Sequence, residues 1–454
     1  MIYFMNTKIQ ILTFIIYLFT FNIYAQSKVL DNYVQEAFEN NEGLKQQKFV
    51  LEKNLYALKE AQSLFYPQIN FLTNYTIAKG GRTIDIPIGD LLNPVYSTLN
   101  QLTNSNKFPQ LENNSTLLNP NNFYDARFRT IYPVINAEIR YNQKIKKEMV
   151  EVQKLEVLAF KRELAKEVKS AYFKYWQASK VIEIYENILK LLKENEKINQ
   201  NLVDNGKALN TLVVRAKNEV VKIETQLIEA KNNQKNAAAY FNFLLNKPFD
   251  NPIILDNELD INQFPIAIDS VSSDKREEYL KLKSVSNIIK HQIDLNKSFK
   301  MPKLNVFLDL GSQAFDFKFN DKSIYYLGGV SLDVPIFAGK KNLYKIKQSE
   351  IELKSIESQS NLLDDQLQLQ INTSKRFYDT SIAQYNSALS QLNLSKEFYD
   401  DMVKLYKEGQ ILYIELLDAQ NQFANSQLQV SLAKANVWMK WTELERVMAV
   451  LNVE

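Results

Sequence analysis

The sequence predicts a mainly α-helical fold with a small β part, a tandem repeat of long coiled-coil helices and four strands. Three observations predict it. Large side chains recur every seventh residue at Ile371, Tyr378, Tyr385, Leu392, Tyr399 and Tyr406, and small ones follow three residues later at Ser374, Ser381, Ala388 and Ser395. A period of 3.5 held over more than four heptads belongs to helices that wind around neighbours. Gly409 then separates this series from a second one at Leu416, Phe423, Val430, Val437, Leu444 and Leu451, at a place suited to the left-handed residue that ends a helix. The same design recurs 203 residues earlier around Gly206, where NGKALNTLVVRAKNEV lies on EGQILYIELLDAQNQF with matching apolar spacing.

Composition removes several function classes. The chain has no cysteine, so disulfide frameworks, zinc-thiolate sites and thiol nucleophiles are excluded. Its one histidine, His291, lies in a lysine-rich helical pattern and reads as a surface residue rather than a lone base. Ten glycines in 454 residues include no GxGxxG, GxxxxGK or GxSxG pattern. A net charge of +3, with mixed signs, argues against a dedicated nucleic-acid surface. Lys8, the apolar run Ile9–Phe21 and the small-residue close at Ala25 follow the order of a secretory signal peptide over residues 1–25. The run is short for a span of about 20 residues. Export is therefore expected, with cleavage after Ala25.

Residues 26–245 form the first repeat. A helix is expected over Asp31–Phe65, with Val34, Phe38, Leu44, Leu51 and Leu55 in its apolar stripe, and Pro67 stops it. Alternation at Ile69, Phe71, Thr73 and Tyr75 marks a strand over 67–78. Residues 79–122, rich in Gly, Pro, Asn and Ser, read as a long loop. A second strand, 123–134, sets Tyr124, Ala126, Phe128, Thr130 and Tyr132 against Asp125, Arg127 and Arg129, and Pro133 is expected to end it. A long helix over 139–204, the Gly206 tip and a returning helix over 211–245 complete the repeat. Residues 246–273 read as a connector, with Ser273 able to cap the next helix.

The second repeat, 274–454, restarts the order. A helix leads to Pro302, strands over 302–318 and 324–335 end at Pro335, and helices over 340–407 and 411–452 flank Gly409. At 1.5 Å per residue each long helix would reach about 100 Å, as would its two shorter partners stacked end to end. The expected result is a rod with the strands at one end and the tips at the other.

The outward faces of the four strands are aliphatic and aromatic, and Tyr66, Tyr132, Phe315, Phe317, Tyr325 and Tyr326 lie near strand ends. An outer membrane barrel would use such strands, but four cannot close, and lipid forbids open edges. The bilayer reading therefore needs several copies. A soluble sheet packed on one side fits the alternation equally well.

The proline-bounded strand pairs (Pro67 with Pro133, Pro302 with Pro335), VPIFAGKKN opening a long helix, and paired tips at Gly206 and Gly409 resemble the TolC family of outer membrane efflux channels. The likeness covers essentially the whole mature chain, and IPIGDLLNPVY in the first long loop resembles the extended surface loop of Bacteroidetes-type members. It implies a homotrimer with a 12-stranded barrel in the outer membrane and a 12-helix periplasmic tunnel. It also implies a periplasmic adaptor (membrane fusion) protein and an inner membrane pump as partners, and no cofactor. One departure is YPVINAE, which has no glycine matching Gly339.

No catalytic, cofactor or metal constellation is apparent, so an enzyme is not expected. Glu415 and Asp418 lie three residues apart on the helix leaving Gly409, while their counterparts in the first copy are Leu212 and Arg215. By resemblance they would line the periplasmic aperture, where acidic rings favour cations. The plainer reading is that they complement the helix dipole, which would predict acids after Gly206 as well. Gly206, Lys207, Gly409 and Gln410 would be the tips that meet the adaptor. The tyrosines of the heptad series read as core packing, and Lys144, Lys146 and Lys147 as solvated surface. An exported coiled-coil scaffold or adhesin with a soluble sheet is the alternative.

Overall fold

Asn41 divides the first helical stretch in two. A computed structural model of the chain describes residues 28–256, 264–265, 275–451 and 453. The expected signal peptide over 1–25, Ser273 and most of the 246–273 connector lie outside these residues. The stretch expected as one helix is α1 (Lys28–Asn40) followed by α2 (Glu42–Ser63). The Asn41 side chain causes the break: its Oδ1 accepts from the Leu44 backbone N–H at 3.0 Å, the bond of an N-cap, and its Nδ2 donates to the Leu244 carbonyl at 2.9 Å. Heptad reading misses this because the apolar stripe continues unbroken through the cap.

The remaining elements are β1 (Gln68–Thr76), β2 (Thr83–Ile86), α3 (Ile88–Leu102), β3 (Asn114–Leu117), β4 (Phe123–Ile135), α4 (Ala137–Asp204), α5 (Thr211–Leu244), α6 (Glu277–Lys297), β5 (Lys303–Phe315), β6 (Ile324–Asp333), α7 (Lys341–Lys407) and α8 (Tyr413–Val447). Residues 79–122 are thus not a plain loop, because they contain a β-ribbon and a 15-residue helix. Their many asparagines, read as loop formers, instead bond to backbone groups and hold the helix in place. Pro133 does not end its strand. It pairs with Asn305 inside β4, just before an irregularity that skips Val134. Proline is admitted there because a bulge does not demand its missing N–H.

Two compact units emerge, and neither is one copy of the repeat. The helical unit takes residues up to Leu55, Glu148–Asn287 and those from Leu353 onward, whereas the sheet unit takes Tyr56–Lys147 and Ile288–Glu352. Within the helical unit one core gathers Val34, Phe38 and Leu44 with Val168, Tyr172 and Trp176 of α4 and Phe241 of α5. A second packs Tyr378 and Tyr385 of α7 against Val437, Trp441 and Leu444 of α8, so the heptad tyrosines are core residues. The end of α8 is held by cations. Arg276 donates to the Val447 carbonyl at 3.0 Å, Arg162 to Leu451 at 2.6 Å and Lys161 to Val453 at 2.6 Å. These bonds satisfy carbonyls that the last turn and the tail leave without helical donors. Arg162 is itself paired with buried Glu277 at 2.6 Å, and Lys169 with buried Glu445 at 2.7 Å.

In the sheet unit the four long strands are ordered β1-β4-β5-β6, every neighbour antiparallel, and β2 pairs with β3 apart from them. His291 is half-buried in α6, and its Nδ1 has no hydrogen-bond partner among the described residues.

Replacing Asn41 by Ala removes the cap and leaves the Leu244 carbonyl without its donor. We expect a loss of about 1–2 kcal/mol, read as a lower urea midpoint by far-ultraviolet circular dichroism, with Asn41→Ser recovering part of it. An unchanged midpoint in the alanine variant would show that the cap contributes nothing.

Candidate functional site

Strand register sorts the sheet's side chains into two faces of opposite chemistry. Phe71, Phe128, Leu310 and Tyr326 stand in one row across all four strands, and Ile69, Thr130 and Leu308 in the next. Apart from Thr130, which is half-buried, every one of these side chains is exposed, Tyr326 by 81%. A soluble sheet hides such a face against a second layer. Here the described residues leave it open.

The other face holds charge. Asp309 is fully buried and accepts from Arg129 Nε at 2.7 Å and Nη2 at 2.6 Å, with Arg127 Nε at 3.7 Å. Arg127 also pairs with Asp125, which accepts from the Tyr325 hydroxyl at 2.9 Å. Because β4, β5 and β6 all contribute, the network ties three strands together through bidentate, charge-assisted bonds. The sheet is therefore polar on its hydrogen-bonded side and apolar where it meets its surroundings. Among the described residues its two edge strands, β1 and β6, each keep one unpaired row of backbone groups, and they run in opposite directions.

The hairpin tips are built alike. Gly206 has φ +69° and Gly409 φ +74°. In the first, Gly206 N–H donates to Val203 and Lys207 N–H to Leu202, at 2.9 and 2.8 Å. In the second, Gly409 N–H donates to Tyr406 and Gln410 N–H to Leu405, at 3.0 and 2.9 Å. Both are Schellman closures, and a side chain at either glycine would be strained by the left-handed backbone. Beside the tips a groove of about 810 Å³ runs between the two hairpins, lined among others by Ile198, Leu212, Val403 and Leu412.

Polar bonds tie one hairpin to the other. Tyr406 donates its hydroxyl proton to Asn199 Oδ1 at 2.7 Å, and Asn195 Nδ2 donates to Gln420 Oε1 at 3.1 Å. Asn199 and Gln420 are buried, and each keeps an amide nitrogen without a hydrogen-bond partner among the described residues. Tyr413 packs beside Tyr406 with ring centroids 5.9 Å apart. Burial pushes its hydroxyl up to about 12 and also raises Tyr399 and Tyr406.

Glu415 and Asp418 are both exposed on the first turns of α8. The Glu415 carboxylate accepts from its own helix's Leu412 N–H at 2.8 Å, and Asp418 accepts from Gln422 at 2.9 Å. Glu415 thus closes a capping bond at the start of α8, and Asp418 is held by a neighbour one turn on. Pro67 and Pro302 each directly precede a strand, and Pro335 follows β6 by two residues. Sequence reasoning missed Asp309, Asn195, Asn199 and Gln420. Asp309 lies among the residues that alternate with Leu304, Val306, Leu308 and Leu310 in β5, and a carboxylate at that position was its available signal. The amides carry none, since Asn and Gln are common on exposed helix faces.

Residues 289–450 match the family described as outer membrane efflux protein. No curated protein matches the sequence. Among solved structures the fold is similar to the outer membrane protein VceC of Vibrio cholerae, at 14% identity and TM-score 0.70, covering 92% of this chain and 95% of that one. It is similar to CusC at 12% identity and TM-score 0.76, covering 94% and 95%. The MtrE outer membrane channel of Neisseria gonorrhoeae matches at 14% identity and TM-score 0.74, covering 92% and 88%.

The buried tyrosines give the hairpin contact a pH limit. Tyr413 in the unfolded chain ionises near 10, and in the fold only near 12, so its contribution is complete below pH 10 and is lost as pH climbs toward 12. The thermal midpoint of the helical unit should fall over that window, and Tyr413→Phe should flatten the fall. Identical alkaline profiles for the two proteins would sink this account.

Proposed function

We propose that the protein is the outer membrane channel of a tripartite efflux or type I secretion system, a reading supported by the match of residues 289–450 to the outer membrane efflux protein family and by the fold's similarity to VceC and CusC. The single observation that supports this best is the inverted sheet, with an exposed apolar face backed by a hydrogen-bonded charged one. In lipid the apolar face is the stable outer surface, and the Asp125–Arg127–Asp309–Arg129 network faces a water-filled lumen. Among the described residues no helix is long and apolar enough to cross a membrane.

Four strands leave two open edges, which a bilayer does not tolerate. The antiparallel fit of β1 to β6 supports closure between copies, and a homotrimer gives the 12-stranded barrel. The sheet unit then lies in the outer membrane, and the helical unit is periplasmic. The tips at Gly206, Lys207, Gly409 and Gln410 meet a periplasmic adaptor, which links the channel to an inner membrane pump. Glu415 and Asp418 line the periplasmic aperture, six carboxylates in the trimer. The hydrogen bonds each accepts orient the carboxylates without removing their charge. Small molecules or proteins pass through the conduit, and no step needs a nucleophile or cofactor.

Outer membrane fractions should contain a trimer that runs as such on a gel unheated and as monomer after boiling. Leu310→Arg, which places a charge on the lipid face at a cost of about 2–4 kcal/mol, should reduce the trimer sharply, whereas Gln313→Arg on the polar face should not. Recovery of the protein as a soluble periplasmic species would refute the channel.

Reversal of both aperture acids, Glu415→Lys with Asp418→Lys, should shift ion selectivity in planar bilayers toward anions. Selectivity equal to that of the native channel would remove these two residues from the aperture.

A further inference from the structure

The insert between β1 and β4 contains a helix whose amphipathicity is turned inside out. Along α3, Asp90, Asn93, Ser97 and Asn100 form one stripe, and all four bond to the strap of residues 108–113 that runs back beside the helix. Asn113 Nδ2 donates to Asp90 Oδ2 at 2.9 Å. Asn93 donates to the Leu111 carbonyl at 2.9 Å and accepts from Leu111 N–H at 2.8 Å. Gln110 Nε2 donates to Ser97 Oγ at 3.2 Å. Asn100 donates to the Phe108 carbonyl at 2.7 Å and accepts from Phe108 N–H at 3.1 Å. The polar side of α3 is thus used internally. The opposite side presents Leu91, Leu92, Val95 and Leu102, all exposed, with Ile88 and Leu99 half-buried in line. A surface helix ordinarily does the reverse.

Three features identify what covers this stripe. Ile88, Val95 and Leu102 are spaced by seven, and Leu92 and Leu99 repeat the interval, which is the seam of a helix that packs against like helices. A bilayer surface fits poorly, because interfacial helices carry Lys and Arg on a free polar face, and α3 has neither residue while its polar stripe is bonded to the strap. Position completes the case. Only six residues separate the end of β1 from β2, and β1 is the edge strand whose open row must pair with the next copy.

We propose that the α3 helices of neighbouring copies pack against one another along the Ile88–Val95–Leu102 stripe, a contact between subunits additional to the barrel seam. The proposal rests on the trimeric channel reading above. It also accounts for the insert's construction: the asparagine-bonded strap stiffens a short helix and points its leucines at a partner rather than into its own chain.

The absence of native cysteine makes the test direct. Val95→Cys, Leu102→Cys and, on the polar side, Gln101→Cys would each be treated in isolated outer membranes with a short bis-maleimide and run on denaturing gels. The first two should give covalent dimers at least tenfold above Gln101→Cys. Monomeric Val95→Cys and Leu102→Cys in a preparation whose unboiled sample still runs as a trimer would overturn the proposal while leaving the channel intact. Labelling of these cysteines by a lipid-borne maleimide, without cross-linking, would overturn it in favour of the bilayer. Loss of the trimer in the native protein would overturn the channel reading and this contact together. As a second measure, Val95→Asp with Leu102→Asp should lower the temperature at which the gel-stable trimer separates into monomers, and an unchanged temperature also overturns it.

Discussion

The open edge of the four-stranded sheet is the constraint on which the rest depends. A row of unpaired N–H and C=O groups on β1, and another on β6, is tolerable in water but costs several kcal/mol per group in hydrocarbon. A sheet with its apolar side outward cannot stay in water without covering that side, and cannot enter lipid without closing its edges. Copies joined edge to edge satisfy both demands at once. In such an assembly the charged network behind the sheet would face water, and it is hydrogen-bonded within itself.

The helical unit answers a different demand. Its long helices have weak individual amphipathicity and are held by seams of tyrosine, leucine and tryptophan in the heptad series, with buried ion pairs at Arg162–Glu277 and Lys169–Glu445. Removing one partner from such a pair strands the other charge, so the pairs specify alignment more than they add stability. At the tips the packing changes character. Buried amides and tyrosine hydroxyls join the aliphatic contacts of Ile188, Leu192, Leu416 and Leu417, and two amide nitrogens have no hydrogen-bond partner among the described residues.

Glu415 illustrates how one residue serves two demands. Its exposed carboxylate closes the first turn of α8 by accepting a backbone N–H, and in doing so is held in one orientation. In the first copy the equivalent residue is Leu212, and Asn210 stands at the N-cap. The two hairpins thus share a backbone closure at glycine while differing in the charge they present just beyond it.

By itself the sequence determined the tandem repeat, the four strands, the paired glycine tips and the division of strand side chains into an apolar and a charged set. These features repeat with period 3.5, 2 or 203, and periodicity survives without knowledge of neighbours. Tertiary structure decided what depends on partners distant along the chain. Asn41 became a helix break because Leu244 needs its amide, and Pro133 was absorbed into β4 because a bulge excuses its missing donor. Asp309 became the centre of a charged network through strand pairing 180 residues apart. The segment 79–122 looked like loop because its asparagines favour turns locally. It became a helix because those same side chains found backbone partners in the returning strap, and that pairing turned its leucines outward.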